Sequence, residues 1–237
     1  METPEQLLAT HPNAILFECI AGSRAYGTAN ANSDQEARGI FAVPAREYLN
    51  LARPVDQVSD ERGNVVYYSL RLVIELLSQA NPNILELLFM PDDCVVKTSP
   101  EMQQLIAVRD LFVSKECADT HAGYAMSQIK KARGQQERGD LDFDAKNMMH
   151  TVRLLMSGRS LMATGRPIVR FMGAELELLL TIRAGRRSFE DIVTIAEAIL
   201  DECERLKQSV SLPDRCDPAA ASRLLRDLTA SWEQRHR

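Results

Sequence analysis

Residues 21–36 read Ala-Gly-Ser-Arg-Ala-Tyr-Gly-Thr-Ala-Asn-Ala-Asn-Ser-Asp-Gln-Glu, and the rest of the chain can be interpreted outward from them. An apolar, β-rich run leads into this stretch at residues 15–20, and a second apolar run leaves it at residues 40–43. Two such runs on either side of glycine-rich and polar residues predict neighbouring strands. The connection between them begins with a Gly-Ser turn.

The chemistry of this stretch lies at its two ends. If the chain is extended from Asp34 to Glu36, these two carboxylates point to one face, because strand side chains alternate. They repel each other unless a cation such as Mg²⁺ lies between them. At the other end, Gly22 and Ser23 let backbone N–H groups approach a phosphate. Either end alone is also consistent with an ordinary turn or a solvated strand face, whereas both together indicate nucleotide chemistry.

The spacing Gly-Ser-x10-Asp-x-Glu resembles the signature of the DNA polymerase β-like nucleotidyltransferase superfamily. The longer pattern Gly-Ser-Arg-Ala-Tyr-Gly…Ser-Asp-x-Glu-x-Arg-Gly is similar to its subfamily of predicted nucleotidyltransferases associated with RNA repair. Further segments resemble that subfamily, so the resemblance covers most of the chain. These segments are residues 68–71, 81–88, 124–131, 146–153 and 178–185.

The resemblance implies an α+β fold: a nucleotidyltransferase core with a short mixed sheet over residues 1–100, and an all-α helical domain over residues 101–237 that completes the nucleotide cleft. Local patterns agree, because strand signals stop near residues 95–115. Thr3 and Gln6 form a capping-box pattern around Pro4. Residues 52–63 are polar and predict a loop or hairpin.

The implied activity is a Mg²⁺-dependent transfer of an NMP from an NTP to a hydroxyl acceptor, possible with Mn²⁺ as well, with release of pyrophosphate. The implied acceptor is an RNA end. Asp34 and Glu36 would hold the metal ions, one lowering the pKa of the attacking hydroxyl and the other clamping the triphosphate. Gly22 and Ser23 would bind the β- and γ-phosphates.

One position departs from the family pattern. A third carboxylate is expected on the strand before the helix that begins near Leu70, and counting back from Asn81 places it at Asn64. An amide oxygen can ligate Mg²⁺ but carries no charge. Asp60, Glu61 or Glu86 could supply the acid if the register shifts. The alternative function is therefore a catalytically weakened nucleotide- or RNA-binding module, of a regulatory or antitoxin-like kind.

Basic side chains are the remaining candidates for nucleotide binding. Lys146, His150 and Arg153 lie at i, i+4 and i+7 and share a helix face, and Lys131 lies on a second basic helix. They would contact phosphates, or else form a solvated helix face.

Two arginines flank the carboxylates of the signature. Arg24 and Arg38 would hold the γ-phosphate or orient Asp34, or else simply offset the acids. Glu86, in an apolar segment, is expected to pair with an arginine such as Arg71.

Bulk properties narrow the class of protein. The net charge is −5, which argues against tight non-specific binding of duplex nucleic acid. Residues 1–120 hold nine Lys and Arg against seventeen Asp and Glu, whereas residues 121–187 hold twelve against six. An acidic, metal-holding half and a basic, phosphate-holding half would suit a nucleotide.

Compartment and membrane association follow from other features of the sequence. Five scattered cysteines predict reduced thiols in a cytoplasmic protein. We expect no signal peptide because the N-terminus is acidic and lacks an apolar segment. No membrane span is expected, because no apolar run reaches about 18 residues.

Overall fold

A computed structural model of the chain describes residues 2–52, 54–137 and 144–236. The chain forms two compact units. The first comprises Met1–Phe112 together with Cys216–Arg237, and the second comprises Val113–Arg215.

The first unit is built on a five-stranded mixed sheet. The strands are β1 (Ile15–Ala21), β2 (Glu36–Phe41), β3 (Gln57–Ser59), β4 (Val65–Ser69) and β5 (Val95–Thr98). Their order is β3-β4-β2-β1-β5, with β2 and β4 parallel and every other neighbouring pair antiparallel. The polar segment 52–63 therefore contributes one strand of a β3–β4 hairpin.

Helices supply the rest of both units. They are α1 (Pro4–Thr10), α2 (Gly22–Tyr26), α3 (Leu70–Ser78), α4 (Pro82–Leu85), α5 (Pro100–Ala107), α6 (Glu116–Glu137), α7 (Ala145–Thr164), α8 (Gly173–Arg183), α9 (Phe189–Ser209) and α10 (Pro218–Arg235). Their starts follow the capping signals of the sequence. The side chains of Ser69, Ser99 and Ser188 each accept a backbone N–H of the first helical turn. Gly165 ends α7 in the left-handed conformation.

The first unit packs apolar side chains from α1 against the sheet. This cluster of buried residues is Leu7, Ala14, Ile15, Phe41, Val43, Val58 and Tyr67. Because β2 and β1 lie at the centre of the sheet and are anchored by this core, the residues at their ends are held in fixed positions. Glu36 and Ala21 are such end residues and face each other in the β1–β2 register.

The last helix, α10, belongs to the first unit. Glu101 of α5 is fully buried and accepts hydrogen bonds from the guanidinium of Arg235 and from the Ser231 hydroxyl, the latter at 2.9 Å. The Trp232 indole N–H donates to the carbonyl of Asn13 at 3.2 Å. Burial raises the pKa of Glu101, but the hydrogen bonds from Arg235 and Ser231 outweigh it, so its pKa lies below the usual value.

The second unit is helical. α6, α7, α8 and α9 surround an apolar core that includes Met148, Met149 and Phe171. His121 of α6 is buried against Gly158 of α7, where an added Cβ would lie 2.9 Å from the His121 Cβ.

The sequence-based division at residue 100 differs from the units in the structure. It assigned α5 and α10 to the helical half, whereas both pack in the first unit. The Glu101–Arg235 ion pair and the hydrogen bond from Trp232 to Asn13 are among the contacts between residues far apart in the sequence that join α10 to the rest of the first unit. The α+β fold class is confirmed.

Candidate functional site

The signature begins where β1 ends. Gly22 follows Ala21 directly and has a φ of +65°, a conformation that an L side chain rarely adopts. The Gly-Ser turn expected from the sequence is a five-residue helix, α2, which Gly27 ends in the left-handed conformation. The chain leaves the sheet through this helix because Gly22 and Gly27 supply the unusual backbone angles at its two ends.

Glu36 lies directly beside Gly22. Its partner across the sheet is Ala21, so its side chain emerges next to the first residue of α2. A Cβ placed on Gly22 would lie 2.4 Å from the Glu36 Oε1 atom. Position 22 therefore favours glycine for its backbone angle, and a Cβ there would also force the Glu36 carboxylate to move.

Arg38 binds the Glu36 carboxylate. These residues are two apart on β2 and so share one face. The Arg38 Nη2 atom donates to Glu36 Oε2 at 2.8 Å, and Nη1 donates to the carbonyls of Ala37 at 2.9 Å and Asn64 at 3.0 Å. Both side chains are only partly exposed, which strengthens the pair relative to one at the surface.

A cavity of about 270 Å³ lies at this end of the sheet. Gly22, Ala21 and several polar side chains line it. The polar ones are Tyr26, Glu36, Arg38, Tyr68, Asn83 and Glu86. Of the predicted site residues, the cavity thus brings together Gly22, Glu36 and Arg38.

The sequence predicts Arg71 as a partner of the buried Glu86 carboxylate, and the structure does not pair them. Arg71 instead binds Asp56 and Glu75, which lies one helical turn further along α3. The Tyr26 hydroxyl donates to Glu86 Oε2 at 3.0 Å, and Glu86 is only 3% exposed. Glu86, one of the acids considered as a substitute for the third carboxylate, does line the cavity, whereas Tyr26 is a cavity residue that the sequence did not single out for this site.

The other signature residues differ in their exposure. Ser23 is buried, whereas Arg24 is exposed. Asp34 is also exposed and precedes the first residue of β2 by two positions. Asn64 is half-buried and immediately precedes β4, and its backbone carbonyl accepts both the Arg38 guanidinium and the N–H of Ala37.

The donor set suits a divalent ion that shares its ligands with a substrate. Mg²⁺ usually takes one or two carboxylates in addition to phosphate oxygens and water. Glu36 provides one carboxylate beside Gly22, whereas Asp34 is exposed and is not among the residues that line the cavity. Among the residues that the structure describes, no group of three or more His, Cys, Asp or Glu side chains is placed to hold a metal by itself.

The predicted basic residues of the second unit divide by exposure. Lys131 and Lys146 are exposed, His150 is half-buried, and Arg153 is 3% exposed. Burial lowers the pKa of His150 to about 4, and the positive charges of Arg153, Lys146 and Arg183 lower it further, against an opposing effect of Asp144. His150 is therefore uncharged near neutral pH and surrounded by cations. Arg183, on α8, is a member of this cluster that sequence spacing did not reveal.

A second histidine lies in the same unit. The Nδ1 atom of His121 contacts the carbonyl of Cys117 at 2.6 Å, so Nδ1 carries the proton. Complete burial lowers the pKa of His121 to about 4, the hydrogen bond to Cys117 opposes this, and the charge of Arg153 adds to it.

Fold and site together define the class of protein. The mixed sheet, with Gly22, Glu36 and Arg38 in one cavity at a strand end, agrees with the sequence family, which is that of the polymerase β-like nucleotidyltransferases. The sequence profile of the RNA repair pathway DNA polymerase beta family, RlaP, matches residues 2–227, and the chain belongs to this family.

Among solved structures, the chain is similar to a nucleotidyltransferase-like protein from Exiguobacterium sibiricum. The two share 12% sequence identity with a TM-score of 0.33, over 86% of this chain and 74% of the other. No curated protein sequence matches the chain. Within the described ranges, no helix has both the length and the apolar character that crossing a bilayer requires.

Proposed function

We propose that the protein transfers an NMP from an NTP to a hydroxyl-bearing acceptor, with Mg²⁺ or Mn²⁺ bound at Asp34 and Glu36. The observation that carries the proposal is the position of the Glu36 carboxylate, in one cavity with Gly22 and Arg38 at the point where β1 passes into α2. The class of protein supports it, because nucleotidyltransferases perform this kind of reaction.

The proposed reaction is a substitution at the α-phosphorus of the NTP. The acceptor oxygen forms a bond to the α-phosphorus, the bond from that phosphorus to the bridging oxygen breaks, and pyrophosphate leaves with the electron pair. The proton of the hydroxyl passes to solvent or to a carboxylate of the cavity. Positioning and charge stabilisation supply most of the rate enhancement in reactions of this type.

Each residue of the first unit has a distinct proposed role. Backbone N–H groups at Gly22 and Ser23 bind phosphate oxygens, and Arg24 and Arg38 supply positive charge for them. A bound Mg²⁺ ion would lower the pKa of the attacking hydroxyl and neutralise phosphate charge. Asn64 is the proposed third polar group of the catalytic set.

Basic residues of the second unit are proposed to bind nucleotide phosphates as well. Lys131 and Lys146 are exposed, and the positive charges of Lys146, Arg153 and Arg183 act together at His150, which favours an anion. We propose an RNA end as the acceptor because the family name refers to RNA repair. A cytoplasmic location is proposed as well, because the five cysteines are scattered along the sequence without a disulfide-framework spacing.

Incubation of the protein with each labelled NTP and Mg²⁺ or Mn²⁺ tests the proposal. Label should pass to an RNA or another hydroxyl acceptor, or pyrophosphate should be released. Asp34→Ala should abolish metal-dependent transfer with little loss of stability, because Asp34 is exposed. Asp92→Ala is a matched control, since Asp92 is an exposed acid of the same unit outside the signature. Full transfer by Asp34→Ala would show that the metal site is wrongly assigned.

A second function, nucleotide or RNA binding without turnover, is favoured by the uncharged amide at Asn64. The two functions are separated by Asn64→Asp. In a weak enzyme, a carboxylate at this position should raise the rate of NMP transfer sharply. In a binding module, nucleotide affinity should be measurable while pyrophosphate release stays at background in both the native protein and the variant.

A further inference from the structure

Glu86 is an acid in an otherwise apolar part of the cavity wall, and it is only 3% exposed. Three apolar side chains of the same segment also line the cavity, those of Ile84, Leu87 and Met90. Burying a carboxylate costs free energy, so an acid at this point needs hydrogen-bond donors. The hydroxyl of Tyr26, on α2, donates to Glu86 Oε2 at 3.0 Å. Because a hydroxyl is a neutral donor, this contact fixes the carboxylate without cancelling its charge.

The structure separates Glu86 from the other candidates for a third carboxylate. Asp60 accepts the first backbone N–H of β4 at 2.9 Å, and Glu61 is exposed in the turn between β3 and β4. Neither acid is among the residues that line the cavity, and the amide side chain of Asn64 is not among them either. Within the described lining, the carboxylates are those of Glu36 and Glu86.

These two carboxylates have different surroundings. Glu36 lies beside Gly22, and its Oε2 atom accepts the Arg38 guanidinium at 2.8 Å. A proton taken up by Glu36 would compete with Arg38, and with a bound divalent ion, for the same two oxygens. Glu86 lies on a different element of the wall and is bound by the Tyr26 hydroxyl. The lining thus offers one carboxylate for cations and a second one for a proton.

We propose that Glu86 is the third carboxylate of the catalytic set and accepts the proton of the attacking hydroxyl. The inference rests on the proposed function and deepens it. As the acceptor oxygen bonds to the α-phosphorus, its O–H bond breaks and the proton passes to a carboxylate oxygen of Glu86. Pyrophosphate leaves with the electron pair of the broken P–O bond, and the proton later passes to solvent. The amide at Asn64 then needs no charge, because the acid comes from another element.

Glu86→Gln tests this role in the full chain. The protein is incubated under single-turnover conditions with each α-labelled NTP, Mg²⁺ and an RNA oligonucleotide that ends in free hydroxyls. The glutamine amide has nearly the size of the carboxylate, and its oxygen can still accept the Tyr26 hydroxyl. The transfer rate should fall by about a hundredfold or more, whereas affinity for α,β-methylene NTP analogues should stay within about threefold of native. A transfer rate close to native would overturn the proposal.

Two further variants distinguish a proton acceptor from an acid that only supports the wall. Glu86→Asp keeps the charge on a shorter side chain, so its transfer rate should lie about tenfold above that of Glu86→Gln and about tenfold below native. Tyr26→Phe keeps the carboxylate and should lose less than about tenfold in rate. A purely structural role predicts the reverse order, because glutamine matches glutamate better in size. Slower transfer by Glu86→Asp than by Glu86→Gln, or equal losses in Glu86→Gln and Tyr26→Phe, would overturn the proposal.

Glu61→Gln is the matched control, because Glu61 is an exposed acid of the same unit outside the lining, and it should transfer at the native rate. Asn64→Asp should not raise the rate, since Glu86 already supplies the acid, and a sharp rise would contradict this. If Glu86→Gln does not fold, a native rate in Glu86→Asp overturns the inference. Transfer that survives Glu86→Gln defeats this inference alone, whereas no transfer by the native protein defeats the proposed function and this inference with it.

Discussion

The Glu36 carboxylate fills the space in which a side chain at Gly22 would begin, 2.4 Å from the position of its Cβ. The contact follows from the register of the sheet, which places Glu36 opposite Ala21. Gly22, a proposed phosphate-binding residue, and Glu36, a proposed metal ligand, therefore lie directly against each other. A substitution at either residue therefore alters the surroundings of the other.

Gly22→Ala should accordingly be more harmful than an equivalent change elsewhere. Gly63 is the matched control, because its φ is +70° and no atom lies within 4 Å of an added Cβ. Both variants should lose about 1–2 kcal/mol for the left-handed conformation. Gly22→Ala should lose a further ~1–3 kcal/mol or displace Glu36, and NMP transfer should fall. Urea denaturation and the transfer assay measure the two effects, and equal stabilities together with equal transfer rates in the two variants would contradict the contact.

The Tyr26–Glu86 hydrogen bond gives a prediction for the other side of the cavity. Tyr26→Phe removes a donor to a buried carboxylate and should cost about 1.5–3 kcal/mol of unfolding free energy. Tyr68→Phe removes a hydroxyl from the same cavity lining and should stay within about 0.5 kcal/mol. Urea denaturation compares the two, and similar losses would show that the bond to Glu86 is not what stabilises this wall.

His121 predicts how stability depends on pH. Its pKa of about 4 in the folded protein lies below the usual 6.5, so the unfolded chain binds a proton that the folded protein does not. The stability that the neutral ring provides is present above pH 6.5 and is lost as the pH falls towards 4. Lowering the pH from about 7.5 to about 5 should cost about 2 kcal/mol from this residue, and His150 should act in the same direction.

His121→Phe should reduce this pH-dependent loss, whatever its effect on stability at neutral pH. His236→Gln is the control, because His236 is exposed and lies in the first unit. Denaturation curves at both pH values measure the difference for each protein. An unaltered pH dependence in His121→Phe would exclude His121 as its source.

The buried carboxylate of Glu101 predicts that the last helix is needed for stability. Arg235→Leu would leave Glu101 without its guanidinium and should cost about 2–3 kcal/mol, allowing for the partial exposure of Arg235. Arg226→Leu changes an exposed arginine on the same helix and should have little effect. Glu101→Gln combined with Arg235→Leu should recover part of the loss, and failure to recover any would argue against the ion pair as its cause.

Local features of this fold could be predicted from the sequence. The Thr3–Gln6 capping box is found as expected. Like the serine caps and the left-handed Gly165, it depends only on residues within one helical turn. The positions of β1 and β2 also agree with the apolar runs at residues 15–20 and 40–43. The sequence did not predict α2, because five residues are too few to show a helical period. The residue that ends α2, Gly27, is of a type that commonly ends helices.

Partners that are distant in the sequence could not be predicted. Arg71 and Glu75 are one turn apart and their pairing follows from spacing, whereas Tyr26 and Glu86 are 60 positions apart. The hydrophobic face of α10 predicts that the helix packs somewhere, but it does not identify α5 as the neighbour. Likewise, Arg183 joins the cations around His150 only through the packing of α8.

Because Val113–Arg215 interrupts the first unit, the order of synthesis has a consequence for folding. The ribosome releases the whole second unit as one continuous segment before α10 emerges. Until then, nascent β-sheet and α5 lack the indole of Trp232 and the guanidinium that Glu101 requires. The half that carries the nucleotide signature is translated first, yet it can be completed only by the last helix.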